Sequence, residues 1–150
     1  MRRVVVPSAI VFGALAAPAL ALSGAAGKSA ALDQFSCKRS SQPAGRTMSV
    51  QAVMRHRIGT QRLAMRFELL WTVPGRTPYN EHGGTLDQWR HPTNPPTLGQ
   101  RPNDVWRLTQ KVSNLAPNGT YQFRVYFKWT GKGGSTLYQT SVLSRHCREG

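Results

Sequence analysis

Leu115-Ala116-Pro117-Asn118-Gly119-Thr120-Tyr121-Gln122-Phe123-Arg124-Val125-Tyr126-Phe127-Lys128-Trp129 is the stretch that decides the fold. Tyr121, Phe123, Val125, Phe127 and Trp129 take every second position, with Gln122, Arg124, Tyr126 and Lys128 between them. A period of two places the first set on one face of an extended strand and the second set on the other. The apolar row needs a second layer to cover it, and the polar row faces water. Before this strand, Pro117, Asn118 and Gly119 are turn residues. After it, Gly131-Lys132-Gly133-Gly134 tolerates positive φ and reads as a hairpin turn.

The same alternation recurs upstream. Met48, Val50, Ala52 and Met54 alternate with Ser49 and Gln51, which reads as a half-buried strand. The polar turn Arg55 to Thr60 follows. Leu63, Met65, Phe67, Leu69 and Trp71 then share one face, with Arg62, Arg66 and Glu68 on the other, until Pro74-Gly75 ends the strand. A helical reading would mix Arg62, Arg66 and Leu69 on one side. Val105, Trp106, Leu108 and Val112 mark another strand, and the last runs from Leu137 towards Cys147. In between, residues 76–104 are rich in Pro and Gly, with Tyr79, Leu86, Trp89 and Leu98 as anchors and room for a short strand near Thr85 to Trp89. No segment after residue 35 reads as a helix of normal length. Several short strands with Gly and Pro turns make an all-β sandwich, with an up-and-down barrel as the alternative.

The chain opens Met1-Arg2-Arg3, continues through an apolar run from Val4 to Ala16, and reaches Pro18 and Ala19-Leu20-Ala21. These are the charged, apolar and small-residue parts of a secretory signal, expected over residues 1 to about 21 and removed near Ala21, with a later site within Leu22 to Ala31, or an uncleaved anchor, as the alternatives. The run is short for a membrane span, so no span is expected after cleavage. Residues 22–46 read as an irregular lead-in and residues 47–147 as one β-sandwich domain. The Ala-rich leader and the preference for Arg over Lys fit a secreted bacterial protein.

The chain has 20 Lys and Arg against 6 Asp and Glu, a net charge of +14. Loss of Arg2 and Arg3 lowers it by two, to +12. This basic protein favours an anionic partner, an envelope polymer or another protein. The cations are scattered, with no Lys/Arg block and no Arg-rich helix, which argues against a specific nucleic-acid binder. Cys37 and Cys147 are an even pair in an oxidising compartment, so a disulfide bond between the start and end of the domain is expected. An intermolecular pair is the alternative.

Leu115, Pro117 and Tyr121 have the spacing of the turn before strand F in fibronectin type III domains, and the chain resembles that immunoglobulin-like family over residues 47–147. The resemblance implies a seven-strand sandwich. Tyr121 would close a "tyrosine corner", Phe123 would begin strand F, and Trp71 would be the core tryptophan of strand B. It also implies extracellular recognition with an unknown ligand. A Cys37–Cys147 bridge is not a feature of the family. It requires the residues after Cys37 to run back along the sandwich, since ten extended residues reach about 33 Å.

No Gly-x-Ser-x-Gly elbow or phosphate-cradling loop is present, and the acidic residues are scattered. Glu81, His82, Asp87 and His91 share the long loop, yet no His-x-His or His-x-x-x-His spacing occurs, so no metal, cofactor or catalytic residue is expected. The chain reads as a non-enzyme. The best candidate binding residues are Arg76, Tyr79, Trp89, Arg90 and His91, because aromatics and arginines are enriched at hot spots. Two rivals remain, a passive structural envelope domain and a secreted enzyme or inhibitor. Exposure of Trp89 on an ordered surface favours recognition, and a loop that only covers the core favours structure.

Overall fold

The strand over Gly119–Thr130 (β6) buries every second residue without interruption, and it is the middle of the larger of two sheets. The computed structural model describes residues 28–149. The expected signal, residues 1–21, lies outside that range. The other strands are β1 (Ala30–Lys38), β2 (Thr47–Arg55), β3 (Arg62–Thr72), β4 (Tyr79–Glu81), β5 (Val105–Ser113), β7 (Thr136–Leu143) and β8 (Cys147–Glu149). All strand pairs are antiparallel, in a small sheet ordered β1-β2-β5 and a larger one ordered β4-β3-β6-β7. β8 pairs with β6 beyond the end of β7, so the two share one edge lane. The described residues form an all-β sandwich of eight strands in two sheets, where the family resemblance implied seven.

The core lies where the alternating rows meet. Met48, Val50, Ala52 and Met54 of β2 face Leu63, Met65, Phe67 and Leu69 of β3 and the apolar row of β6, and all are buried. Trp129 is fully buried and donates its indole N–H to the Arg55 carbonyl (2.8 Å), tying the two sheets together. Phe67 and Phe123 meet edge to face at 6.2 Å. Burial of these rings is the main favourable term, about 1.5–3 kcal/mol for each large side chain.

Tyr121 is 2% exposed, and its hydroxyl accepts from the Ala116 N–H (2.8 Å) and donates to the Ala116 carbonyl (3.3 Å). The turn before β6 is therefore closed by a side chain from inside β6. Trp71, its cross-strand neighbour, stacks on the Tyr121 ring at 5.8 Å. Trp71 lies on the third strand rather than the second, because β1 precedes the strand first read from the sequence. Gly119 leaves room for that indole: a Cβ there would collide with Trp71 Nε1.

The stretch read as an irregular lead-in contains β1. Its register shifts between Asp33 and Ser36, and Gln34 has φ 47°, so the bulge moves the inward row by one and hides the alternation. The bridge joins Cys37, at the end of β1, to Cys147 of β8, with Cα atoms 5.5 Å apart. It links an edge strand of one sheet to the edge lane of the other. No back-running lead is needed, since Cys37 is inside a strand. Among the described residues no helix is long and apolar enough to cross a membrane.

Candidate binding surface

The loop that follows β4 runs along the open edge of β3. Asp87 N–H donates to the Phe67 carbonyl (2.8 Å), and Arg90 and Met65 exchange two backbone hydrogen bonds (2.8 and 3.0 Å). His91 Nδ1 donates to the Leu63 carbonyl (2.8 Å). These bonds satisfy edge groups of β3 that β4, only three residues long, leaves open.

The predicted binding residues are not brought together. Arg76 is exposed in the turn after Pro74-Gly75. Tyr79 lies on β4, 43% exposed, with its ring edge-on to Trp71 at 4.7 Å and its hydroxyl donating to Glu81 (3.2 Å). His91 is docked at Leu63, at the other end of β3. The eight-residue step from Leu63 to Trp71 is about 26 Å of strand. Trp89 and Arg90 are neighbours in sequence, yet they take opposite sides of the extended loop. Arg90 turns inward: its guanidinium lies 5.1 Å over the ring of buried Phe67 and donates to Gln110 Oε1 (2.8 Å) on β5. Thr85 donates to the same oxygen (3.0 Å). Burial lowers the pKa of Arg90. Its chemistry belongs to closing the side of the sandwich.

Trp89 turns outward and is half-buried on the outer face of the larger sheet. Lys128 Nζ lies 4.2 Å from its ring centroid and the Arg66 guanidinium 5.3 Å. Arg66 also lies 4.3 Å over Tyr126, its cross-strand partner. Beside them the nearly buried Glu68 accepts from Arg66 (3.1 Å) and from the Tyr126 hydroxyl (3.0 Å), with Arg124 at 3.5 Å. Arg66 and Arg124 thus share one carboxylate, Lys128 on the Trp89 ring adds a third cation, and the cluster keeps a positive excess. The sequence had these residues on a water-facing row without chemistry. The signal was in the register, because pairing Ala64 with Lys128, Arg66 with Tyr126 and Glu68 with Arg124 concentrates cations and aromatics at one place. Aromatic faces held beside cations match anionic ligands with stackable rings.

Of the four polar groups expected to share the loop, only His82 and Asp87 pair, at 2.5 Å, with the His82 side chain 72% exposed. Glu81 is engaged by Tyr79 and His91 by Leu63. Among the described residues, the one grouping at metal-ligand distance is Cys37, Cys147 and Glu149, whose two sulfurs are bonded to each other. Comparison with family models, with curated proteins and with solved structures finds no match to this chain.

Proposed function

We propose that the chain is an exported, non-enzymatic recognition module of the fibronectin type III-like, immunoglobulin-like class, which binds an anionic envelope polymer through the outer face of its larger sheet. The observation that carries the reading is Trp89, held beside Lys128 and Arg66 on an ordered sheet surface. Labelled A, B, C, C′, E, F and G, with β7 and β8 sharing G, the strands give ABE against C′CFG, an order that supports the class. The Tyr121 hydroxyl on the Ala116 backbone supports it too. A bridge across 110 residues supports placement outside the cytoplasm, where disulfides persist.

The test is titration of the folded, oxidised protein with polygalacturonate and with a neutral glucan. Wild type is expected to bind the acidic polymer alone, and Trp89→Ala/Lys128→Ala to lose about tenfold or more in affinity, roughly 1.4 kcal/mol. Equal affinity of the two proteins overturns the assignment of the surface. A second reading, a passive structural domain, is favoured by the hydrogen bonds that dock the 87–91 segment onto β3. It predicts no binding to either polymer.

A further inference from the structure

The bridge gathers cations at the other end of the larger sheet. Arg39 follows β1 directly after Lys38, Arg145 and His146 lie in the step between β7 and β8, and Arg148 is in β8; all four are exposed. The step is fixed by Ser144. Its N–H donates to the Phe123 carbonyl (2.8 Å), and its hydroxyl accepts from the Phe123 N–H (2.9 Å) and donates to the Arg145 carbonyl (2.8 Å). Gln122 Nε2 donates to the Ser144 carbonyl (2.7 Å). Opposite, the β1 bulge presents Phe35, and the Arg145 guanidinium lies 5.0 Å over that ring.

Phe35, Cys37, Arg39, Arg145, His146 and Arg148 line an open cavity of about 660 Å³. Among the described residues, no carboxylate side chain lines it. Asp33 lines the neighbouring pocket, and Glu149 is buried beside Cys147, in the field of Arg46 and Arg39. Among the described residues none of these three arginines is in an ion pair. Three guanidiniums around one concavity exceed what a single carboxylate neutralises, and each matches phosphoryl oxygens bidentately. β8 pairs at Gly119–Tyr121, whereas the Trp89 surface lies at Lys128. Seven strand residues, about 23 Å, separate the two places.

We propose that this cavity binds a multiply charged phosphoryl anion, with Arg39 on one side of the Cys37–Cys147 bridge and Arg145 and Arg148 on the other. Phe35 holds Arg145 in place and His146 adds a ring N–H. The test is calorimetric titration of the oxidised protein with sodium tripolyphosphate and with poly(glycerol phosphate). Tighter binding per phosphate to the polymer identifies a polymer-borne group as the source, and preference for tripolyphosphate identifies a free anion. Arg39→Ala/Arg145→Ala/Arg148→Ala is expected to lose affinity by about tenfold or more for either probe. The control Arg62→Ala/Arg101→Ala/Arg107→Ala lowers net charge equally at exposed positions elsewhere, and should stay within about threefold. Peptide mapping of the intact bridge and a Tm no lower than that of wild type establish that the variants fold. Equal losses in the two triple variants, or no binding of wild type to either probe, overturn the proposal.

Discussion

Tyr121→Phe removes one oxygen and leaves the ring. The phenyl group still stacks on Trp71 and stays in the core, so the change isolates the two hydroxyl bonds to Ala116. Burial pushes the phenol above its ordinary 10.0, so the group is a neutral donor and acceptor at working pH. The shorter bond is the one from the Ala116 N–H, a half-buried donor with no strand partner. Its loss costs about 1 ± 0.5 kcal/mol, plus part of the penalty for leaving that donor unpaired, which brings the expected cost to about 1–2 kcal/mol. In urea, with m near 1.5 kcal/mol/M, the midpoint falls by roughly 1 M. The Tm falls by about 4–8 °C. The assay is equilibrium unfolding followed by tryptophan fluorescence, with the bridge intact in both proteins. Tyr138→Phe is the control: that ring is 42% exposed on an edge strand, and its cost should stay below about 0.5 kcal/mol. Tyr126 does not serve as the control, although the sequence places it facing water, because its hydroxyl donates to the nearly buried Glu68. A Tyr121→Phe cost no larger than that of Tyr138→Phe would refute the reasoning that the hydroxyl closes the turn.

Gly119→Ala should destabilise by about 1–3 kcal/mol through overpacking against Trp71, as read by urea unfolding. Trp71→Phe should relieve part of that cost, and strictly additive double-mutant energies would count against the contact. Burial raises the Glu149 carboxyl above its ordinary 4.5, with Arg46 and Arg39 opposing. The folded chain therefore keeps that proton to higher pH than the unfolded chain, and stability is lost as pH rises between the two values. Glu149→Gln should melt higher than wild type at pH 7, with the difference vanishing below about pH 4.5; a difference that instead grows on acidification would contradict the sign.

Sequence periodicity located β2, β3, β5 and β6 because each buries a clean row against the opposite sheet. β1 was hidden by its bulge and by the half-burial of an edge strand, and missing it set β2 and β3 one place early in the comparison with the fibronectin type III pattern, while β6 kept its reading as strand F. The strand expected near Thr85 to Trp89 is replaced by β4 and a docked edge segment. What closes the lane beside β3 is backbone hydrogen bonding by Asp87 and Arg90, and side-chain alternation carries no trace of it. Gln110 shows the converse case. Its face of β5 is apolar in Trp106, Leu108 and Val112, and the polar side chain is accommodated there by Thr85 and Arg90 from the loop.

The candidate sites were harder to read than the fold because sequence proximity and spatial proximity diverge most strongly in extended chain. Trp89 and Arg90 are adjacent in sequence, and alternation sends them to opposite sides of the loop. The reverse holds at the bridge. Searching for a Lys/Arg block along the chain finds scattered cations, yet Cys37 is followed by Lys38 and Arg39, and Cys147 is flanked by Arg145, His146 and Arg148. A disulfide holds its two Cα atoms within a few ångströms, here 5.5 Å, so it draws both flanks together. Once the two cysteines are paired, a basic concentration follows from the residues beside them. Cations held this close repel one another and weaken the fold that joins them, unless an anion neutralises them. That repulsion gives the arginine-lined cavity beside the bridge a use for a phosphoryl ligand, whereas the Trp89 face already meets part of its charge with Glu68.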